Sequence, residues 1–311
     1  MDKLKLKGEF YILLAAIIWG SAFVVQKVGM DYVGPLTFTA FRFGIGTLAM
    51  FPILAITRMS RRKKDVTRTN EAKMDKADAR RIPRDLLIGG IWIGVANFAG
   101  SILQQTGLIY TTAGKAGFLT AMYLVIVPII LLILGHKIHL LTWVGIIVAT
   151  FGMYLLTMSG GWSFQIGDLL CFLGAVGFAF QIVLVDRFVD RTDPLELATF
   201  EFGVTAILSI IGAVLFETTT ISALLQCTWA ILYTAILEVC VAFSLQIVGQ
   251  QYASPAIATI LMSMESVFAV LSGLIFLGEI MSGREVLGCC IMFFAFLVAQ
   301  IPEMRNGETN N

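Results

Sequence analysis

The chain has 311 residues, of which 58% are hydrophobic and 14% charged, with a formal net charge of +1 and a mean hydropathy of +0.85. A soluble domain is about 45–50% apolar and about 25% charged, and a chain of this size needs polar groups to cover its surface. The composition therefore speaks against a secreted enzyme, a nucleic-acid binder or a disordered scaffold, and describes an all-α membrane protein that crosses the lipid bilayer several times.

A helix crosses the hydrocarbon with about 20 mainly apolar residues. In chain order, such runs predict ten transmembrane helices over 10–28, 35–57, 86–109, 116–135, 139–158, 168–185, 195–216, 228–248, 256–277 and 284–301. The short joins predict one antiparallel bundle. Lys3, Lys5 and Lys7 precede the first run without a small-residue cleavage site, which predicts an uncleaved first helix. Residues 58–84 carry 11 Lys/Arg against 4 Asp/Glu and read as a solvated cytoplasmic loop, with a lipid-binding arm as the alternative. With the N-terminus inside, 18 basic residues fall on the inner side and 3 on the outer, so both termini are predicted to be cytoplasmic.

The two halves align on each other. Gly8-Glu9 matches Gly167-Asp168, and PLTFTAFRFG from Pro35 matches PLELATFEFG from Pro194, both at an offset of 159. After the basic loop the offset falls to 142, where Gln104, Gly107 and Tyr110 meet Gln246, Gly249 and Tyr252. Each half, 1–157 and 158–311, holds five spans. Because five is odd, the second half enters the membrane from the opposite side, which makes an inverted repeat of the kind found in secondary transporters.

WGSAFVVQK from Trp19, PLTFTAFRF from Pro35, YTTAGKAGFLTAMY from Tyr110 and QYASPAIATILMSMESVFAVLSGLIFLGE from Gln251 resemble the drug/metabolite transporter superfamily, specifically its EamA-type permeases. The resemblance runs over roughly residues 8–300. It implies ten helices in an inverted five-plus-five arrangement, export of small metabolites such as amino acids, and a bacterial plasma membrane. The chain departs from the family pattern at Glu265-Ser266, where Glu-Pro is common, and at Gly135-His136, where Gly-Glu is common.

A charge at a helix centre costs about 2.5–3.5 kcal/mol on insertion scales, so each needs a partner, a neutralising proton or a watery cavity. Four residues pose this problem: Arg42, Glu201, Glu238 and Glu265. Arg42 and Glu201 occupy equivalent repeat positions at opposite depths, too far apart to pair, and are candidates for gating or for the cavity. Glu265, between the hydroxyls of Ser263 and Ser266, and Glu238 are candidates for proton coupling. Gln104, Tyr110, Tyr123, Gln181 and Gln246 are candidates for solute binding, with helix–helix hydrogen bonding as the alternative role. Trp19 and Trp92 read as packing, and Gly90 and Gly94 as a close helix contact.

Five cysteines in apolar runs predict no disulfide, and His136 with His139 reads as a solvated turn rather than a metal site. No cofactor is expected, and the chain is read as a monomer or homodimer. The sequence carries no ATP-binding loop, HExxH or GxSxG pattern. A proton-coupled exporter working by alternating access is the leading expectation. A channel-like facilitator or uptake permease is the alternative, and an intramembrane enzyme ranks behind both.

Overall fold

A computed structural model describes residues 3–68, 84–111, 113–157, 165–277 and 282–308. Its helices are α1 (Lys3–Gly29), α2 (Pro35–Arg68), α3 (Arg84–Tyr110), α4 (Ala113–Thr120), α5 (Tyr123–Ile133), α6 (Leu140–Thr157), α7 (Ile166–Val189), α8 (Pro194–Phe216) and α9 (Ile221–Tyr233). A π-helical segment (Thr234–Phe243) leads into α10 (Ser244–Gln250), followed by α11 (Pro255–Ser263), α12 (Glu265–Leu277) and α13 (Gly283–Glu308). Among the described residues, eight helical stretches are long and apolar enough to cross a membrane, and Leu140–Leu155 is a shorter apolar helix. α13 stands in the place of the tenth expected span.

Large apolar side chains such as Val214, Phe216 and Ile133 are about 80% exposed, an arrangement that hydrocarbon tolerates and water does not. The buried apolar residues form two main clusters. One joins α1, α5, α6, α11 and α13, the other α2, α3, α7, α8 and the π segment, and Trp19 and Phe178 pack against both.

Local chemistry sets the helix ends. Pro35, Pro194 and Pro255 open their helices, where the missing N–H costs nothing. The Asp193 carboxylate caps α8 by accepting from the N–H groups of Leu195 and Glu196 at 3.0 and 3.1 Å. Gly135, at φ +85°, ends α5, and the next N–H, that of His136, returns to the Leu131 carbonyl at 2.9 Å. His136 and His139 are exposed in this turn, and His139 Nδ1 accepts from the Leu141 N–H.

Three features differ from the sequence expectation. α2 continues to Arg68, so the basic stretch begins as helix, as its Arg, Lys and Met content permits; residues 69–83 lie outside the described residues. The eighth span begins earlier, at Ile221, and passes through the π segment. The fourth and ninth spans are not continuous. Each is interrupted by a tightened turn, at Met122 (φ −62°, ψ −12°) and at Met264 (φ −62°, ψ −13°), 142 residues apart.

Two glycine contacts share the same numerical relation. Gly107 of α3 lies on Gly167 of α7, and Gly249 of α10 lies on Gly8 of α1. A Cβ at residue 107 would fall 2.5 Å from Cys171 Sγ and 2.8 Å from the Gly167 carbonyl oxygen. We expect Gly107→Ala to lose about 1–3 kcal/mol through forced separation of α3 and α7. Gly44→Ala, where a Cβ meets nothing within 4 Å, serves as the control and is expected to gain about 0.5–1 kcal/mol from helix propensity alone. Thermal unfolding in detergent measures both. Gly90 and Gly94 play a comparable part, admitting Phe200 and Val204 of α8 against α3.

Candidate functional site

The centre of the bundle holds a cavity of about 50 Å³, enough for a few waters and far below the several hundred Å³ of a solute-filled pocket. Its wall joins α1, α2, α3, the α4–α5 kink, α7, the π segment, α10 and the α11–α12 kink. Trp19, Phe23, Phe178 and Phe243 supply an apolar wall, and Arg42, Glu238, Glu265 and several amides supply the polar one.

Arg42 and Glu238 form a buried ion pair, Nη1 to Oε1 at 2.8 Å, with side chains 1% and 5% exposed. The guanidinium also lies 5.1 Å from the Phe43 ring centre and 5.7 Å from that of Phe38. Glu238 sits in the π segment, a distortion that often marks functional positions in helices. Glu238, which has no polar companion in its own turn, thus finds one from α2.

The two kinks meet across the cavity. The Tyr123 hydroxyl, first residue of α5, donates to Glu265 Oε1, first residue of α12, at 3.0 Å. The serines flanking Glu265 are placed differently from the sequence expectation. Ser263 Oγ donates to its own helix at the Ile260 carbonyl, and Ser266 Oγ is buried without a partner.

A relay of amides runs from the cavity wall into the α8 side of the bundle. Gln246 donates to Gln181 Oε1 at 3.1 Å and to Gln250 Oε1 at 3.0 Å. Gln181 donates in turn to Glu201 Oε1 at 2.9 Å, and Gln250 to the Ile182 carbonyl. Glu201 itself is fully buried behind the wall. Gln104 lines the cavity and donates to Thr120 at 3.1 Å.

Of the sequence-predicted residues, Arg42, Gln104, Tyr123, Gln181, Glu238, Gln246 and Glu265 therefore share one cavity, and Glu201 joins it through Gln181. Tyr110 is not brought there: in the last turn of α3, it is half-exposed and packs beside Gly167. Trp19 lines the cavity with its indole N–H unpartnered, while Trp92 faces outward. Gln26 was missed. A lone amide inside the apolar run of the first span was the available signal.

Several buried polar atoms around this cavity lack partners. Trp19 Nε1 and Arg42 Nε are donors; Gln26 Oε1, Gln246 Oε1 and Glu238 Oε2 are acceptors. Buried polar atoms are normally satisfied. A wall carrying both unpaired donors and unpaired acceptors suits a solute with both an anionic and a cationic or donor group. No His/Cys/Asp/Glu cluster fit for a metal occurs among the described residues.

The EamA-like transporter family matches the chain twice, over residues 6–158 and 165–300. An uncharacterized transporter of Archaeoglobus fulgidus is 30% identical, the match covering 96% of this chain and 87% of that one. The uncharacterized inner membrane transporter YedA of Escherichia coli is 25% identical over 96% of this chain and 91% of its own. A solved crystal structure shares the fold, with a TM-score of 0.72 at 21% identity, covering 94% of this chain and 96% of that one. This multi-pass protein of the plasma membrane belongs to the EamA-like transporter family.

Proposed function

We propose that the protein exports small polar metabolites such as amino acids by alternating access, with two inverted five-helix halves exchanging roles and both termini in the cytoplasm. The observation that carries this reading is the Tyr123–Glu265 bond. It joins residues at equivalent positions of the two halves, at the kinks of two equivalent spans, in the wall of the central cavity. The paired glycine contacts and the double family match support the repeat. The 18-to-3 excess of basic residues supports the orientation. The unpartnered donors and acceptors of the cavity wall are the groups a zwitterion would satisfy. Glu265 and Glu238 are the carboxylates proposed to couple transport to protons.

The test is solute movement in proteoliposomes loaded with a pooled metabolite set, under an imposed pH difference, with internal pH followed alongside. Saturable uptake with counterflow is the expected result, and proton movement in step with solute would support coupling. Unsaturable flux without counterflow would replace the carrier reading with a channel-like facilitator.

A further inference from the structure

α2 and α8 pack side by side and are fastened to each other at both ends. At one end Glu217, just past the last turn of α8, accepts from the N–H groups of Leu36 and Thr37 in the first turn of α2, at 2.9 and 2.8 Å. Thr37 and Thr219 share a hydroxyl–hydroxyl bond of 2.9 Å beside it. At the other end Arg58 of α2 donates through Nε and Nη2 to Glu196 Oε1 in the first turn of α8, at 3.0 and 2.6 Å. Between these ends the middles of the helices flank an apolar groove along Gly44, Leu48, Gly203 and Ile207.

The offset of 159 carries Arg58 onto Glu217 and Thr37 onto Glu196. The two ties thus use the same two positions of each half with different chemistry. What permits the difference is one residue before each helix. Asp193 caps its own helix, which leaves the Glu196 side chain for Arg58. Its counterpart Gly34 has no side chain, so the equivalent amides remain for Glu217. The backbone at Gly34 needs no glycine, since Gly135 has the only positive φ among the described residues. The requirement is space, because a Cβ at residue 34 would lie on the Glu217 carboxylate.

We propose that these ties are the two gates of the transport cycle: both are closed in the occluded state, each is released in turn, and the Arg58–Glu196 tie is released more readily. The proposal rests on the alternating-access reading above. The asymmetry follows from solvation. Arg58 and Glu196 have side chains 64% and 25% exposed, and an exposed ion pair is held weakly and screened by salt. Glu217 holds two backbone amides at a helix N-terminus, where both hydrogen bonding and the helix dipole favour a carboxylate. At rest, then, the face carrying Arg58 opens more often, and salt increases that opening without affecting the other face.

Spin-label distances in lipid vesicles test this. One pair is placed at Asp31 and Thr218, beside the Glu217 tie, and the other at Met59 and Arg191, beside the Arg58 tie. All four positions are exposed. The background carries Cys289→Ser and Cys290→Ser, because the remaining cysteines are buried. Arg58→Ala, or molar salt on the unaltered ties, is expected to enlarge the long-distance fraction of the Met59–Arg191 pair several-fold and leave the other pair unchanged. Arg58→Glu with Glu196→Arg is expected to restore the original distribution. Glu217→Ala combined with Gly34→Asp keeps α2 capped from within, as Asp193 caps α8, and is expected to lengthen only the Asp31–Thr218 pair.

Distances that ignore both tie-breaking variants would reduce the ties to surface contacts and overturn the proposal. Lengthening of both pairs by either variant would also overturn it, since the ties would then act together rather than in turn. These distances do not depend on which solute is carried, so a failed metabolite screen is distinguishable from a failed gate.

Discussion

Arg42→Met is expected to cost about 3–5 kcal/mol of stability, because it leaves the Glu238 carboxylate buried without its partner. Glu238→Met should cost about as much by stranding the guanidinium between Phe38 and Phe43. The double replacement Arg42→Met/Glu238→Met should regain most of the loss. A buried ion pair recovers little more than its own desolvation, so an apolar pair of similar volume is often as stable. Thermal unfolding of the four proteins in detergent forms the cycle, and the loss in the double variant is expected to fall well short of the sum of the two single losses.

Transport should not follow stability in that cycle. Arg42 Nε and Glu238 Oε2 are buried at the cavity and bonded to nothing, so each side chain has an atom left for the solute. The double variant is therefore expected to be folded and inactive in counterflow. A folded and active double variant would instead make the pair a packing device and move the search for the solute site to Trp19, Gln26 and Gln246.

The membrane-spanning runs were legible because hydropathy is a summed property, and stretches of about 20 apolar residues leave little freedom in hydrocarbon; eight helical stretches among the described residues are long and apolar enough to cross. Arg42 and Glu238 were each legible as costly, but not their pairing, since 196 residues separate them and neither segment carries a pattern that names the other. Arg42 and Glu201 were expected to remain apart, and Glu201 finds Gln181 instead. The kinks at Met122 and Met264 were not visible. Neither break residue is a glycine or proline; Pro128 follows the first break within α5, whereas no proline follows the second within α12, so the two turns share no common local signal. The π segment likewise carries no signature in TAILEVCVAF. Tyr110 reads as a site candidate only as an uncharged polar residue at the end of the third span, and its half-to-half match is Tyr252. The match reflects the glycine contacts that both tyrosines flank, Tyr252 at Gly8 and Tyr110 at Gly167.

Glu265→Gln is expected to abolish solute accumulation driven by a pH difference while leaving counterflow exchange largely intact. Glu265 is 4% exposed and holds one hydrogen bond, from Tyr123. If the carboxyl must gain and lose a proton as the halves exchange, glutamine fixes the site in a neutral form. The cycle can then run only as exchange. For one-for-one coupling, a difference of one pH unit corresponds to 1.36 kcal/mol, or about tenfold accumulation, in the parent protein. The variant should show none. Tyr123→Phe removes the donor but not the titrating group, so accumulation should persist at a lower rate. The two variants together separate a coupling carboxyl from a structural one. If Glu265→Gln still accumulates solute to the parent level, the coupling role passes to Glu238, and the Tyr123–Glu265 bond is left as the hinge pin between two kinked helices.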